Sequence, residues 1–267
     1  MPSADEPPVA ASHVTCSLAG PVATIRLADP AGRNALNHES LAALLDSVAR
    51  ARREDANVVV LRSSGDFFSV GGDLRAFAAA EDLPAYVQRA AGLANTIVHQ
   101  LMELDAVVVA VVQGTAAGAG FPLAAAADLV IAAESARFSL GYTRIGLSVD
   151  GGTSLLPASL GLHRALRLAL LNDTLTADEA RAAGLVARVV PDDQLEAVAD
   201  EVIARLAAGP PRALAATKRL LRESALPDPE PALRREAVCV VEQAGHPDGA
   251  EGIAAFVEKR TPSFGGG

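Results

Sequence analysis

The sequence predicts an α/β fold that ends in an all-helical region. Apolar β-branched runs alternate with stretches of helical periodicity over residues 14–193 of the 267-residue chain. Two of those runs lead into glycine-bearing turns at residues 68–73 and 113–120, and each turn opens a stretch that is typical of helix. Beyond Asp193 only helical patterns remain, and prolines separate them. Because the succession of strand, glycine turn and helix occurs twice, a structural repeat is indicated.

The first predicted elements are a β-hairpin and a helix. Residues 14–18 and 22–27 alternate in polarity around a Gly-Pro turn, which is typical of paired strands. Asn37 then stands where a helix would begin, and its side chain can accept hydrogen bonds from first-turn N–H groups. The buried stripe of that helix is predicted to be Leu41, Leu44, Leu45 and Val48.

Further strands, one long helix and a loop follow in the first half of the chain. The strands are predicted over residues 58–62, 107–112 and 128–132, the helix over 84–104 and the loop over 139–153. The first two of these strands are β-branched apolar runs, as in strands that are buried on both faces. Each of them leads into one of the glycine turns.

Residues 106–127 carry no charge and are numerous enough to cross a bilayer. The segment is interrupted, however, by Gln113, three glycines and Pro122. Its first part is a short β-branched run, and residues 116–127 are rich in alanine and favour helix. Strand, turn and helix therefore explain the segment better than a membrane span, and we expect no membrane partner.

The second half of the chain becomes helical. Thr176-Ala177-Asp178-Glu179 has the form of a capping box, Gly184 would end that short helix, and residues 186–190 would form one more strand. The later helices are predicted over residues 195–208, 212–224, 233–244 and 249–259. We accordingly expect a disordered tail at 1–12, a core that carries the site at 13–200, and a helical region at 201–267.

Charge and cysteine usage narrow the class of protein. The formal net charge of -9 argues against nucleic-acid binding, and the basic clusters 50–53 and 218–219 are interpreted as solvated helix faces. The two cysteines, Cys16 and Cys239, lie in apolar surroundings and far apart in sequence. Neither a disulfide framework nor a zinc knuckle is indicated, so a reducing, cytoplasmic compartment is expected.

The two glycine turns predict an oxyanion hole. First-turn amides of a helix lack partners within the helix, and two such sets pointing into one cleft would stabilise an oxygen that becomes negative during reaction. The second turn does not match G-x-G-x-x-G, no P-loop lysine follows it, and Ser69 is not in a G-x-S-x-G elbow. The five histidines show no ligand spacing, so no metal is expected.

Asp150, which precedes two glycines in an apolar loop, has two interpretations. It could cap a helix that starts near Thr153. Alternatively, it is a carboxylate in a dry cleft, with a pKa raised by desolvation, which removes a proton from carbon and returns it. Asp73, directly after the first glycine turn, is predicted to cap the next helix.

Five motifs in this order resemble the enoyl-CoA hydratase/isomerase family, also called the crotonase superfamily, over about residues 13–264. The motifs are Arg33-Asn34-Ala35-Leu36, Phe68-Ser69-Val70-Gly71-Gly72-Asp73-Leu74, Gly114-Thr115-Ala116-Ala117-Gly118-Ala119-Gly120, Asp128-Leu129-Val130 and Phe256-Val257-Glu258-Lys259-Arg260. The resemblance implies a crotonase-like ββα spiral with a C-terminal helical trimerisation region, assembled as a homotrimer or homohexamer. It also implies an acyl-CoA thioester substrate, with coenzyme A as part of the substrate and no other cofactor.

Carried over by position, the resemblance makes the backbone N–H groups of Gly72 and Ala119 the oxyanion donors. The two glutamates that hydratases of this family use fall on Pro122 and Tyr142, and neither can act as a carboxylate base. Asp150 falls where several isomerases of the family keep their acid. The expected function is therefore an enoyl-CoA isomerase that moves a carbon-carbon double bond by proton transfer between C2 and C4.

Three alternatives stay open at this point. One is an enoyl-CoA hydratase or another acyl-CoA lyase, and a second is a non-catalytic acyl-CoA-binding homologue, which the missing glutamates would favour. A third is a dehalogenase in which Asp150 acts as nucleophile. The dehalogenases also rely on a tryptophan and a histidine base, whereas this chain has no tryptophan and no histidine near the first glycine turn.

The resemblance also implies a set of substrate contacts. The positions are Arg33, Ala35, Phe68, Gly71, Leu74, Gly118, Tyr142, Phe256 and Lys259. Arg33 is expected to bind a CoA phosphate, and Phe256 and Lys259 to reach the ligand of a neighbouring subunit, although a surface role explains Arg33 and Lys259 equally well. Phe68 and Tyr142, with Phe77 and Phe138, could line an acyl pocket or simply fill the core.

Overall fold

The computed structural model describes residues 13–226 and 228–265. The strands are β1 (Val14–Ala19), β2 (Val22–Leu27), β3 (Ala35–Leu36), β4 (Val58–Ser63), β5 (Phe67–Ser69), β6 (Gly71–Gly72), β7 (Val107–Val112), β8 (Thr115–Ala117), β9 (Leu129–Ala133), β10 (Arg137–Ser139), β11 (Thr174–Thr176) and β12 (Arg188–Val190). The α-helices are α1 (His38–Arg53), α2 (Leu74–Ala78), α3 (Leu83–Glu103), α4 (Gly120–Ala125), α5 (Pro157–Leu160), α6 (Leu162–Leu171), α7 (Ala177–Ala182), α8 (Leu195–Ala207), α9 (Pro211–Ala225), α10 (Glu230–Ala244) and α11 (Pro247–Glu258). The tail predicted over residues 1–12 and the break at Pro227 lie outside the described residues.

The main sheet has six strands in the order β1-β2-β4-β7-β9-β12. The β1–β2 pair is the predicted antiparallel hairpin, with Val14 opposite Leu27, and the remaining neighbours are parallel. All six residues of β4 and all six of β7 are buried, because α8 covers one face of the sheet and the main core covers the other. The continuous apolar runs in the sequence therefore correspond to strands buried on both faces.

The glycine turns differ from the expectation of plain turns between strand and helix. Each contains a short strand, and β5, β8, β10 and β11 form a second sheet in the order β11-β10-β8-β5. The long strands β4, β7 and β9 are each followed by one short strand of this second sheet. The predicted repeat thus has two strands per unit, which a three-residue strand is too short to reveal by its polarity pattern.

Most predicted helix ends are confirmed. Asn37 caps α1 by accepting from the Ser40 N–H, and the predicted box around Thr176 caps α7. Residues 106–127 form β7, β8 and α4, as the strand-turn-helix interpretation requires. Within the described ranges, no helix combines the length and the apolar character that a membrane span needs. The sequence interpretation did not include α5, α6 or β11.

One expectation about a charged residue is wrong. Lys218, predicted on a solvated helix face, has a side chain only 6% exposed and pairs with Asp128 at 2.9 Å. Its ammonium also donates to the Ala106 carbonyl at 2.9 Å, so it anchors α9 to the sheet. In α9 the apolar neighbours Leu220 and Leu221 are exposed, so they lie on a different face from Lys218. Cys239 is exposed on α10, beside the exposed Val238.

Candidate active site

The first glycine turn is held in shape by buried polar side chains. Asn34 donates through Nδ2 to the carbonyls of Ser64 and Phe67, at 2.9 and 2.8 Å. Ser69, fully buried, donates to the Asn34 carbonyl at 2.7 Å and accepts from the Gly71 N–H at 3.1 Å. Asp73 caps α2 as predicted, because its side chain accepts from the N–H groups of Arg75 and Ala76. The turn is therefore fixed before any ligand binds.

The two glycine turns touch each other at Gly71. This residue has φ +84, and a Cβ there would lie 2.7 Å from the Ala117 carbonyl oxygen and 3.1 Å from the Ala119 nitrogen. A Cβ on Gly120 would likewise lie 2.7 Å from the Ser69 Cβ. Both glycines are needed because backbone of one turn packs directly on the other. The contact brings the second turn beside β6, where Gly72 lies.

The backbone amides predicted as oxyanion donors lie at this contact. The Asp73 N–H donates to the Leu36 carbonyl in the β3–β6 ladder at 3.0 Å. Since alternate N–H groups of a parallel strand point to opposite sides, the Gly72 N–H faces away from β3. The Ala119 N–H lies just before α4 and has no acceptor among residues 13–226 and 228–265. It is also at the positive end of the α4 dipole.

Asp150 belongs to a third segment that converges on the same place. A Cβ on Gly151 would lie 3.2 Å from the Ala119 Cβ and 3.7 Å from the Tyr142 hydroxyl oxygen. Gly151 and Gly152 both have left-handed backbone, with φ +64 and +95. Only residues without a side chain allow this tight turn against the start of α4. The residue that precedes Gly151, Asp150, therefore belongs to a segment that packs on Ala119.

The Asp150 side chain is not a helix cap. The 3₁₀ turn Thr153–Leu155 begins after Gly152 and has no side-chain cap of its own, and Asp150 gives it only its backbone carbonyl, which accepts from the Thr153 N–H at 3.1 Å. The structure therefore contradicts the capping interpretation. Burial raises the pKa of Asp150 to about 6, and the hydrogen bond from Tyr142 opposes that rise. Such a carboxyl can exchange a proton near neutral pH.

The sequence interpretation missed Glu236. This α10 residue is 5% exposed, and its carboxylate accepts from the N–H groups of Gly152 and Ser154, the latter at 2.9 Å. Burial, more than the nearby Asp150, raises the pKa of Glu236 to about 7, and the two backbone donors oppose the rise. The sequence did contain a signal for this burial, because Glu236 lies between Leu233 and Val240 on the buried stripe of its helix.

A cavity of about 120 Å³ borders the Asp150 segment. Its walls include Val98, Met102, Pro122, Gly152, Leu156 and Leu226. Arg222 also lines it, but Asp128 accepts from that guanidinium at 2.7 Å, so the cation is already paired. Pro122 and the buried Tyr142, whose pKa burial raises well above 10, supply no carboxylate here. The residues that line the cavity are therefore mostly apolar, and the segment after Asp150 contributes Gly152 to its wall.

The other predicted contact residues are distributed unevenly. Ala35 pairs with Gly71 in the β3–β6 ladder, Leu74 begins α2 beside it, and Gly118 donates its N–H to the Ser139 carbonyl at 3.0 Å. All three lie at the two glycine turns. Phe68 is completely buried in the main core, so within this chain its side chain packs rather than lines an open pocket.

Three predicted contacts lie on the surface of the chain. Arg33 is exposed, although its carbonyl accepts from the Val70 N–H at 3.0 Å. Phe256, 55% exposed, and Lys259 lie at the end of α11. Neither Arg33 nor Lys259 forms an ion pair among the described residues, and no group of His, Cys, Asp and Glu in those residues is arranged to hold a metal ion.

Comparison with known proteins decides the family. A family model described as enoyl-CoA hydratase/isomerase matches residues 18–267. The chain belongs to the enoyl-CoA hydratase/isomerase family. This family member is 41% identical to a probable enoyl-CoA hydratase of Rhodobacter capsulatus over 255 residues, which cover 92% of this chain and 95% of the relative. It is 35% identical to the 1,2-epoxyphenylacetyl-CoA isomerase of Escherichia coli over 254 residues, with the same coverage of 92% and 95%.

The fold of this enoyl-CoA hydratase/isomerase family member also matches solved structures. The crystal structure of an enoyl-CoA hydratase from Mycobacterium avium subsp. paratuberculosis superposes with a TM-score of 0.86 at 36% identity, covering 95% of this chain and 98% of that one. The predicted crotonase-like fold, with its parallel sheet core and helical C-terminal region, is thus confirmed. Hydratases and isomerases both occur among the relatives, so membership establishes an acyl-CoA enzyme but leaves the reaction to the site.

Proposed function

We propose that this chain is an enoyl-CoA isomerase, which moves a carbon-carbon double bond along the acyl chain of a CoA thioester. The observation that carries the proposal is Asp150, a carboxyl with a pKa raised to about 6 that sits in a segment packed on Ala119. The next two residues of that segment lie against Ala119, whose amide is unpaired, and in the wall of the mostly apolar cavity. A carbon acid next to a thioester requires this combination of base, oxyanion donor and dry surroundings.

The amides of Gly72 and Ala119 would bind the thioester carbonyl oxygen. Loss of a proton from C2 places negative charge on that oxygen, and two backbone donors fixed by the Gly71 contact would stabilise it without rearrangement. One donor of this kind contributes about 3 kcal/mol to transition-state stabilisation. The positive end of α4 adds to the same field.

Asp150 would carry the proton. Its carboxylate removes a proton from C2 of a 3-enoyl thioester, and the C2 electron pair joins the double bond to form a dienolate. The carboxylic acid then returns the proton to C4, which leaves the double bond between C2 and C3 and restores the carboxylate. Nothing is consumed besides the rearranged substrate, so the reaction needs no cofactor other than the CoA that belongs to the thioester.

A hydratase of the two-glutamate kind is the competing function, and two relatives named as hydratases make it a serious alternative. Pro122 and Tyr142 stand where that mechanism needs its glutamates. The second acid of this region, Glu236, uses both carboxylate oxygens to accept from backbone N–H groups. It is thus engaged in holding a loop rather than in positioning water, which supports isomerisation over hydration.

Binding of the remainder of the substrate is part of the proposal. The cavity beside Gly152 would take the acyl chain, since its walls are mostly apolar and its one cation is paired. Arg33 would contact a CoA phosphate. Phe256 and Lys259, exposed at the end of α11, would contact the ligand of a neighbouring subunit in a homotrimer or homohexamer.

The deciding experiment offers the protein a small panel of 3-enoyl-, 2-enoyl- and dienoyl-CoA thioesters and follows isomerised and hydrated products separately by mass. Isomerised product at constant mass supports the proposal. A product heavier by one water makes the chain a hydratase. Tight binding of acyl-CoA with neither product would make it a non-catalytic acyl-CoA-binding protein.

A further inference from the structure

Glu236 is a buried acid that the proposed reaction does not use, and its hydrogen bonds indicate a structural role beside Asp150. It projects from α10, in the C-terminal helical region, into the segment that carries Asp150. One oxygen accepts from the Gly152 N–H and the other from the Ser154 N–H. The 3₁₀ turn Thr153–Leu155 has no side-chain cap of its own, so α10 supplies that cap from outside.

The Asp150 segment depends on such an anchor. Gly151 and Gly152 are consecutive residues in the left-handed region. Because glycine has no side chain, this pair has more conformational freedom in its backbone than any other pair of residues would have. On one side the turn is restrained only by packing against Val98, since a Cβ on Gly152 would lie 2.9 Å from the Val98 Cγ1. The carboxylate of Glu236 is the polar contact that fixes the amides of Gly152 and Ser154, two and four residues after Asp150.

The charge of Glu236 is not compensated by a cation. No Lys or Arg of the described ranges pairs with it; on its own helix Arg234 pairs with Glu230, and Arg235 is exposed. Its charged neighbour is instead Asp150, which raises the pKa of Glu236 in addition to the larger effect of burial. Interaction between two carboxylates is reciprocal, so charge on Glu236 also makes Asp150 a stronger base.

Other titratable groups near the pair are few. Tyr142, from the loop before Asp150, stays neutral because burial raises its pKa well above 10. The face of α3 toward α10 is uncharged, although His99 of that helix has a buried Nδ1 without a partner in the described structure. On α11, Glu251 pairs with Arg260, and Asp248 accepts from the Gly265 N–H.

We propose that Glu236 is a positioning residue, which holds the Gly151–Gly152 turn so that Asp150 faces the oxyanion amides and whose charge is coupled to proton exchange at Asp150. The inference rests on the proposed role of Asp150 as proton carrier. The pair would lose its protons in two steps, the first mainly from Asp150 near pH 6 and the second mainly from Glu236 near pH 7. Basicity of Asp150 would increase with the second step.

The first test is the pH profile of kcat/KM for the wild type and Glu236→Gln. The wild type should rise in two steps, near pH 6 and near pH 7. The glutamine variant, which keeps the size of the side chain but loses the charge and one acceptor, should rise in a single step and lose at least about tenfold in kcat with little change in KM. Glu242→Gln, at an exposed position of the same helix, should behave as the wild type. Two steps retained in Glu236→Gln, whatever its rate, would overturn the coupling.

The second test needs no turnover and separates this inference from the proposed function. In full-length protein labelled with 13C at carboxyl carbons, Glu236 should titrate near pH 7, and Asp150→Asn should lower its pKa by about half a unit or more. An unchanged Glu236 titration in that variant would overturn the inference even if isomerisation is found. A lowered pKa in a protein without isomerase activity would instead leave the coupling intact and refute the proposed function.

Discussion

Gly151 lies directly against Ala119: a Cβ on Gly151 would be 3.2 Å from the Ala119 Cβ. The two residues are far apart in the chain, and each is next to a group that carries chemistry, the Asp150 carboxyl on one side and the unpaired N–H of Ala119 itself on the other. Their contact brings the segment that carries the proposed base against the segment that carries the proposed oxyanion donor, by backbone packing. The closeness of these two segments is therefore a property of the folded backbone.

Asp150→Asn should abolish double-bond migration, with a loss of about 10²-fold or more, because the amide cannot accept a proton from carbon. Affinity for an unreactive acyl-CoA should change little, since the amide keeps the shape of the carboxyl. Initial rates and calorimetric binding check the two parts. Asp193→Asn, at an exposed position, is the matched control, and an active Asp150→Asn would exclude this residue as the base.

Gly71→Ala should reduce kcat by about 10²- to 10³-fold, since the added Cβ would lie 2.7 Å from the Ala117 carbonyl oxygen and must displace the Ala119 amide. Circular dichroism would verify that the variant is folded at the assay temperature. Gly92→Ala, on the exposed face of α3 with no atom within 4 Å of the new Cβ, should keep full activity and gain about 0.5 to 1 kcal/mol in stability. Equal activity of the two variants would contradict the role of the Gly71 contact.

The stability difference between Asp150→Asn and the wild type should depend on pH. The folded pKa of Asp150, about 6, lies above the ordinary value of 3.8, so the folded state binds this proton more tightly than the unfolded state. The corresponding stabilisation is complete below pH 3.8 and is lost as the pH rises through 6.

Relative to the wild type, Asp150→Asn should therefore gain about 2 to 3 kcal/mol in free energy of unfolding between pH 4 and pH 8. Urea titrations at several pH values measure this difference. Asp193→Asn, at an exposed position, is measured beside it as the control. A flat curve for Asp150→Asn would show that this carboxyl ionises normally.

Lys218→Met should destabilise the protein by about 2 to 3 kcal/mol, because it removes the buried partner of Asp128 while Arg222 still pairs with that carboxylate. Arg219→Met, whose guanidinium is exposed and 4.0 Å from Asp105, should change stability by less than about 0.5 kcal/mol. Chemical denaturation compares the two. Similar small effects would mean that α9 is held by something other than this cluster.

Local patterns in the sequence predicted a large part of the fold. The valine runs of β4 and β7, the Asn37 cap of α1 and the capping box of α7 are where they were expected, because each depends on a few adjacent residues and on periodicity. The short strands in the glycine turns could not be predicted in the same way. Three residues carry too little pattern, and pairing with distant strands decides their conformation.

The candidate site was predictable in part, through the order of the motifs. The sequence drew attention to Asp150 and the two turns, which the fold brings together, yet Lys218 was assigned to a solvated face and Glu236 was overlooked. Both are charged residues on amphipathic helices. Charged residues are usually exposed, so their sequence positions predict the surface. Only their partners in the folded chain show that both are buried. Lys218 contacts Asp128 and two backbone carbonyls, and Glu236 accepts from two backbone amides.

The amino-acid sequence was sufficient to specify the alternation of strands and helices, the glycine turns and the family to which they belong, because these depend on residue types at short spacing. Packing in three dimensions was needed to bring Gly71, Ala119 and Gly151 close together. It was also needed to place Glu236 of α10 on the Gly151–Gly152 turn that follows Asp150. Contacts between segments that are distant in sequence depend on how sheets and helices pack, and no local pattern encodes that packing.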